Sequence, residues 1–171
     1  HLLADCMAVV HRGCVLQIGS PQEVVQRPNN LEVARATGAR NILKGVVAGA
    51  SAQGLQVQVG EVLLATPAYP LMVGEAVHVV IRPEQVLLLK RERAEQVVNG
   101  LRGHIVSEVT NGLACHLLFR TDGPRLAPDA PHDLDIALPP HVYDALGIVH
   151  KKRWPIAIRP QGIHLIRART S

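Results

Sequence analysis

From Asn41 onward, apolar and polar residues alternate in short runs, as in Leu55, Val57 and Val59 and then Val77, Val79 and Ile81. A period of two marks strands with one buried face. Runs at 42–48, 54–59, 61–65, 76–81 and 85–89 are separated by Gly, Pro and Ser. A second set follows at 99–110, 112–120, 133–138, 153–158 and 162–167. Strands this short must close on one another to cover their edges. Two OB-like barrel units of five strands each are therefore predicted.

The pattern before Asn41 is different. Residues 7–11 read as a strand, Arg12-Gly13 as a tight turn and Cys14–Ile18 as the returning arm of a hairpin. Ser20-Pro21-Gln22-Glu23 is a helix start, with Ser as N-cap, Pro at the first position and Glu at the capping-box position. A second short helix is predicted from about Asn30 to Thr37, with Gly38 beyond it. Pro139 to Gly147 reads as one helical turn. Gly123 to Pro131 reads as an exposed loop, and residues 90–97 as a charged connector.

The two β sets repeat each other. Asn41-Ile42-Leu43-Lys44-Gly45 returns as Asn99-Gly100-Leu101-Arg102-Gly103. Ile81-Arg82-Pro83-Glu84-Gln85-Val86 returns as Ile158-Arg159-Pro160-Gln161-Gly162-Ile163. The second copy is longer in its middle. A duplicated small β module is the architecture this implies.

Composition narrows the chemistry. The chain has 171 residues, a net charge of +4 and only 2% aromatic residues. Val, Leu, Ile and Ala must fill the core. The charge is too mild to demand nucleic acid. Tyr69, Phe119, Tyr143 and Trp154 are too scattered to form a base-stacking face. Trp154 stands where the first copy has Val77, which suits packing between barrels or subunits. Three cysteines, Cys6, Cys14 and Cys115, form no Cys-x-x-Cys and read as free, mostly buried thiols of a reducing compartment. Nine histidines show no metal-ligand spacing, although His104 and His116 could meet across a hairpin. No metal site is expected. No apolar run reaches about 18 residues, so no membrane span is expected. Beginning at His1, inside an apolar pattern, suggests the tail of a longer polypeptide.

These residues resemble a family. Leu3-Ala4-Asp5, Ala8-Val9-Val10, Gly13, Gln17 and Gly19-Ser20-Pro21-x-Glu23 resemble the end of the nucleotide-binding domain of ABC importer ATPases. Arg27-Pro28-x-Asn30 and Gly38-x-x-Asn41 resemble its junction to a C-terminal domain, and the duplicated units resemble the TOBE (transport-associated OB) region. The resemblance implies a remnant of the catalytic domain and linker over 1–40, then TOBE units over 41–92 and 97–171. It implies a regulatory and dimerisation role in a subunit that drives solute import. An inorganic oxyanion such as molybdate or sulfate is the first solute expected, with iron(III) or a sugar next. ATP, Mg²⁺ and membrane permease subunits would serve the intact parent, at the inner face of the cell membrane. No Walker A loop, Leu-Ser-Gly-Gly signature or Walker B aspartate occurs here, so no ATP hydrolysis is expected of this chain. Rival readings are a stand-alone oxyanion storage or sensor protein and, ranked below it, an OB-fold nucleic-acid binder.

Gly38-Ala39-Arg40-Asn41 also resembles the Ser-Ala-Arg-Asn opening of molybdate-binding Mop modules. The resemblance implies an oxyanion site near Arg40, Asn41 and Lys44, completed by Asn99 and Arg102 of a neighbouring unit. Gly45 and Gly103 would then let backbone approach the anion. The alternative is that Asn41 and Asn99 cap strands while Lys44 and Arg102 point into water. Arg82 and Arg159 have two readings as well. They fix strand ends and pair carboxylates, or they contact an anion or the nucleotide-binding domain.

Overall fold

The computed structural model describes residues 5–89, 97–110 and 112–168. Most of the charged connector therefore lies outside the described residues. Strands β1 (Met7–His11) and β2 (Cys14–Gly19) form the expected hairpin. Arg12 and Gly13 both have positive φ, the geometry of a two-residue turn that matches strand twist. Helix α1 (Pro21–Gln26) begins where Ser20 accepts from the Glu23 N–H, and α2 (Leu31–Ala36) where Asn30 accepts from the Val33 N–H. Cys6 and Cys14 are exposed and only Cys115 is buried. The expectation of mostly buried thiols fails because the hairpin lies on the surface.

Ten further strands make two five-stranded antiparallel sheets. In chain order they are β3 (Asn41–Ser51), β4 (Gly54–Val59), β5 (Val62–Thr66), β6 (Ala76–Ile81) and β7 (Val86–Leu88). Then come β8 (Gly100–Thr110), β9 (Cys115–Thr121), β10 (Leu134–Leu138), β11 (Arg153–Ile158) and β12 (Ile163–Arg167), with α3 (Pro140–Leu146) before β11. The fold is mainly β and OB-like, with a nearly closed barrel sheet.

The closing strands are exchanged. The first sheet runs β12-β6-β3-β4-β5 and the second β10-β9-β8-β11-β7. Ile81 pairs with Ile163, and Ile158 with Val86. Each Ile-Arg-Pro thus carries the chain out of its own sheet into the other. Proline supplies no N–H to a ladder, so a strand readily ends there. A 3₁₀ turn follows each time, Pro83–Gln85 and Pro160–Gly162. The expected boundary between 92 and 97 thus does not divide the sheets, because β7 and β12 cross it.

One core runs through both sheets. It contains Val57, Leu64, Val79 and Ile81 from the first half and Phe119 and Ile156 from the second. Trp154 joins it, with its indole N–H on the Lys151 carbonyl at 2.7 Å and Lys151 Nζ above the ring. Gly45 and Gly103 occupy equivalent places in β3 and β8. A Cβ on Gly45 would lie 2.9 Å from Val57 Cγ1, and one on Gly103 only 2.1 Å from the Arg120 carbonyl oxygen. Both strands are irregular just beyond, where Ala48 and Val106 interrupt the register. Bulges at matching places bend both long strands around the core.

The proline-rich insertion is not simply an exposed loop. Its Leu126 is buried in the common core. The Asp133 carboxylate is fully buried and accepts from the Thr121 and Ala127 N–H groups and from Arg125 Nε. The Glu61 N–H donates to the Arg125 carbonyl at 2.7 Å, which fastens the insertion to the β4–β5 turn of the other half.

Candidate functional site

A cavity of about 810 Å³ opens where the two crossings meet. Its walls are the end of α1 with the Arg27-Pro28 step, the Pro67–Tyr69 segment after β5, and both 3₁₀ turns. Gly162 touches the Gln85 side chain, and a Cβ there would lie 2.8 Å from it. The turns approach this closely only because one of the two matching positions carries no side chain.

The chain has three Arg-Pro steps, at 27, 82 and 159, and all three arginines line this cavity. A residue before proline is biased toward extended backbone, as at Arg82 and Arg159, whereas Arg27, closing α1, has ψ of 61. Arg82 and Arg159 have ψ of 142 and 128. Arg82 is mostly covered; its Nε donates to Glu84 at 2.7 Å and Nη1 reaches the Val25 carbonyl. Arg159 occupies the matching place, but the residue two positions on is Gln161. Arg159 is exposed, and among the described residues it has no ion pair. Arg27 is exposed and has no acidic partner among them either. Among the described residues the cavity lining contains no Asp or Glu.

A latch closes one wall. The His164 Nε2–H donates to the Pro28 carbonyl at 2.8 Å, which fixes the tautomer and leaves Nδ1 as an acceptor facing Tyr69. The Tyr69 hydroxyl donates to the Ile163 carbonyl at 3.1 Å. Burial pulls the His164 pKa below its ordinary value; the Pro28 bond opposes that and the Arg27 charge adds to it. Burial likewise raises the Tyr69 phenol. The imidazole is therefore neutral here, and the cation of this wall is Arg27.

Asn41 and Asn99 do something else. Asn41 is buried, and its amide is closed on the backbone of β10. Oδ1 accepts from the Asp135 N–H at 2.6 Å and Nδ2 donates to the Asp135 carbonyl at 2.8 Å. Asn99 does the same to β5, with bonds of 2.7 and 2.8 Å to the Ala65 N–H and carbonyl, and one more to Ile158. Each asparagine caps the edge strand of the other half. Arg40 Nη1 reaches the buried Asp135 carboxylate at 3.2 Å, whose second oxygen takes His116 Nδ1 at 2.8 Å. Lys44 is exposed in β3, opposite His78, and Arg102 is exposed in β8, opposite Pro155. Arg40 and Asn41 thus meet at Asp135, while Asn99 is fastened to the other sheet. Gly45 and Gly103 face packed protein rather than an anion approach. His104 and His116 do not face each other; each pairs with an aspartate, His104 with Asp122.

Arg27, Tyr69 and His164 were not among the candidate site residues; Arg27 entered only through the junction motif and Tyr69 only as a scattered aromatic. The Arg-Pro step at 27, matching those at 82 and 159, was the available signal for Arg27.

The comparisons bear on the whole assembly. The chain is 31% identical over 126 residues to the spermidine/putrescine import ATP-binding protein PotA of Lawsonia intracellularis, covering 70% of this chain and 33% of that protein. It is 33% identical over 131 residues to the protein of the same name from Nitratidesulfovibrio vulgaris, covering 72% and 34%. The chain is homologous to ABC importer ATP-binding subunits. The match is to their C-terminal region, and the chain spans about a third of their length. A solved structure of the cytoplasmic molybdate-binding protein ModG, with molybdate bound, aligns with a TM-score of 0.60 and 17% identity. That alignment covers 76% of this chain and 97% of ModG, and at such identity it speaks for the fold. No protein-family model matches. An ABC importer subunit with a TOBE-like, strand-exchanged C-terminal barrel is thus the frame for the cavity.

Proposed function

We propose that this chain is the regulatory and dimerisation region of an importer ATPase, coupling the motion of a preceding catalytic domain to a duplicated barrel. The observation that carries this is the latch. The segment that would enter from the catalytic domain is held on the barrel by His164 on Pro28 and by Arg82 on the Val25 carbonyl. A movement of α1 is therefore felt at both strand crossings. ATP and Mg²⁺ belong to the intact subunit. The residues present here do not fit a triphosphate, because no glycine-rich loop with its lysine occurs. The intact subunit would work as a homodimer with permease subunits, at the inner face of the membrane. Among the described residues no helix is long and apolar enough to cross one.

The relatives' names point to a polyamine as solute. The second reading, an inorganic oxyanion, is favoured by the likeness to ModG and by Arg40 and Lys44, which remain exposed. Uptake by the intact importer in vesicles separates them, with putrescine, molybdate and sulfate as competing substrates. Calorimetry with ATP on the 171-residue chain should show no binding. Micromolar affinity would overturn the assignment to the regulatory region, as would a monomer in sedimentation at high micromolar concentration for the dimer.

A further inference from the structure

We infer that the crossing cavity is a binding site for a small organic anion, one with a phosphate or carboxylate head and an apolar body. The inference does not depend on which solute is transported.

The first argument is charge. Three guanidinium groups line the cavity, and among the described residues no carboxylate does. Glu84 offsets Arg82 from beside it. Among the described residues nothing equivalent offsets Arg159; the second copy has Gln161 where the first has Glu84. Arg27 and Arg159 thus offer forked donors with no protein acid to satisfy them among the described residues. Planar guanidinium pairs suit the oxygens of phosphate and carboxylate. His164 is not the anion's donor, because its Nε2–H is already engaged by the Pro28 carbonyl.

The second argument is size and surface. A volume of about 810 Å³ lies in the range of about 300–1,000 Å³ that holds small organic ligands, far more than a bare tetrahedral ion needs. Val80, Ile163, Pro67 and the Tyr69 ring give it apolar walls. Gln26, Gln85 and Gln161 add amide groups that can donate or accept. A ligand here would touch both crossings and the end of α1 together, so occupancy would stiffen the junction between linker and barrel.

The test is calorimetric titration of the 171-residue chain with phenyl phosphate, inorganic phosphate and phenol. Phenyl phosphate should bind at least about tenfold tighter than either fragment, since head and body contribute together. Arg159→Gln and Arg27→Gln should each weaken it by about tenfold or more, the scale of one charge-assisted hydrogen bond. Arg153→Gln, on a surface pair with Asp122, should leave binding unchanged. Both cavity arginines are exposed, so folding should survive, and circular dichroism checks that. Equal affinity for inorganic and phenyl phosphate would overturn the organic-anion assignment. Absence of binding at millimolar concentration, or binding indifferent to both cavity substitutions, would overturn the site.

Discussion

The two halves of the barrel are built alike and finished differently. Each has an asparagine clamp, a glycine with a bulge beyond it and an Ile-Arg-Pro crossing. All are features of backbone path, and all survive the divergence of the two copies. What differs is how charge is settled. The first half neutralises its crossing arginine with Glu84 and leaves the tip between β4 and β5 as a short turn. The second leaves Arg159 without an ion pair among the described residues, yet organises its insertion around the fully buried Asp133 and its partner Arg125. Geometry needed to close the fold is held in common. Electrostatics is where one half is free to acquire a role of its own.

The largest way to break this comparison is to remove the hub that only the second half has. Asp133→Ala would strand Arg125 Nε and the Thr121 and Ala127 N–H groups inside the protein. Removing one partner of a buried pair costs about 3–5 kcal/mol. Urea denaturation should show that loss without a matching change in slope. A loss under 1 kcal/mol would mean the insertion is not part of the cooperative unit.

Gly103→Ala and Gly45→Ala sharpen the shared part. A methyl on Gly103 would meet the main-chain oxygen of Arg120 and the Phe119 ring, which cannot retreat far. One on Gly45 would meet mainly valine side chains, which can shift. Overpacking should cost about 3 kcal/mol at Gly103 and about 1 kcal/mol at Gly45. Equal melting temperatures for the two variants would show that β9 yields more than its contacts imply.

The clamps come next. Asn41→Ala leaves the Asp135 N–H and carbonyl without partners in a buried setting, costing about 2 kcal/mol. Asn99 has a φ of +55, so Asn99→Gly removes the clamp without adding strain. It is half exposed and water can replace its bonds, so about 1 kcal/mol is expected. Hydrogen exchange should rise at Asp135 in the first variant and at Ala65 in the second. Exchange rising at neither would break the equivalence of the two clamps.

Much of this was legible in the alternation of apolar residues. The strands at 54–59 and 76–81 follow from side-chain period, and Ser20 and Asn30 cap helices as their types predict. The exchange of β7 and β12 was not legible. A three-residue strand after Ile-Arg-Pro pairs equally well, by its own sequence, with either neighbouring sheet. Only the shared core decides. The clamps were half legible: the recurrence of Asn41 and Asn99 marked them, but an amide that grips backbone and one that grips an anion are the same residue. Arg82 and Arg159 stood out through repetition. His164 and Tyr69 did not, because their work depends on a distant carbonyl and on each other.

The smallest effect belongs to the one titrating group that the exchange leaves on a closing strand. His164 in β12 matches Leu87 in β7, so only the second closing strand can sense pH. Burial holds the folded-state pKa of His164 below its ordinary value of 6.5. In the window beneath 6.5 the unfolded chain therefore binds the proton more readily than the folded one. Stability rises with pH wherever the unfolded state holds more protons. The contribution of His164 is thus complete above about 6.5 and declines as pH falls toward its folded value. Protonation would also set a second positive charge beside Arg27, while the Nε2–H bond to Pro28 could persist. His164→Gln keeps a donor for Pro28 and removes the titration. Denaturation midpoints between pH 5 and 7 should slope less in this variant than in the parent chain. An unchanged slope would place the pH response elsewhere and leave the latch a purely mechanical contact between linker and barrel.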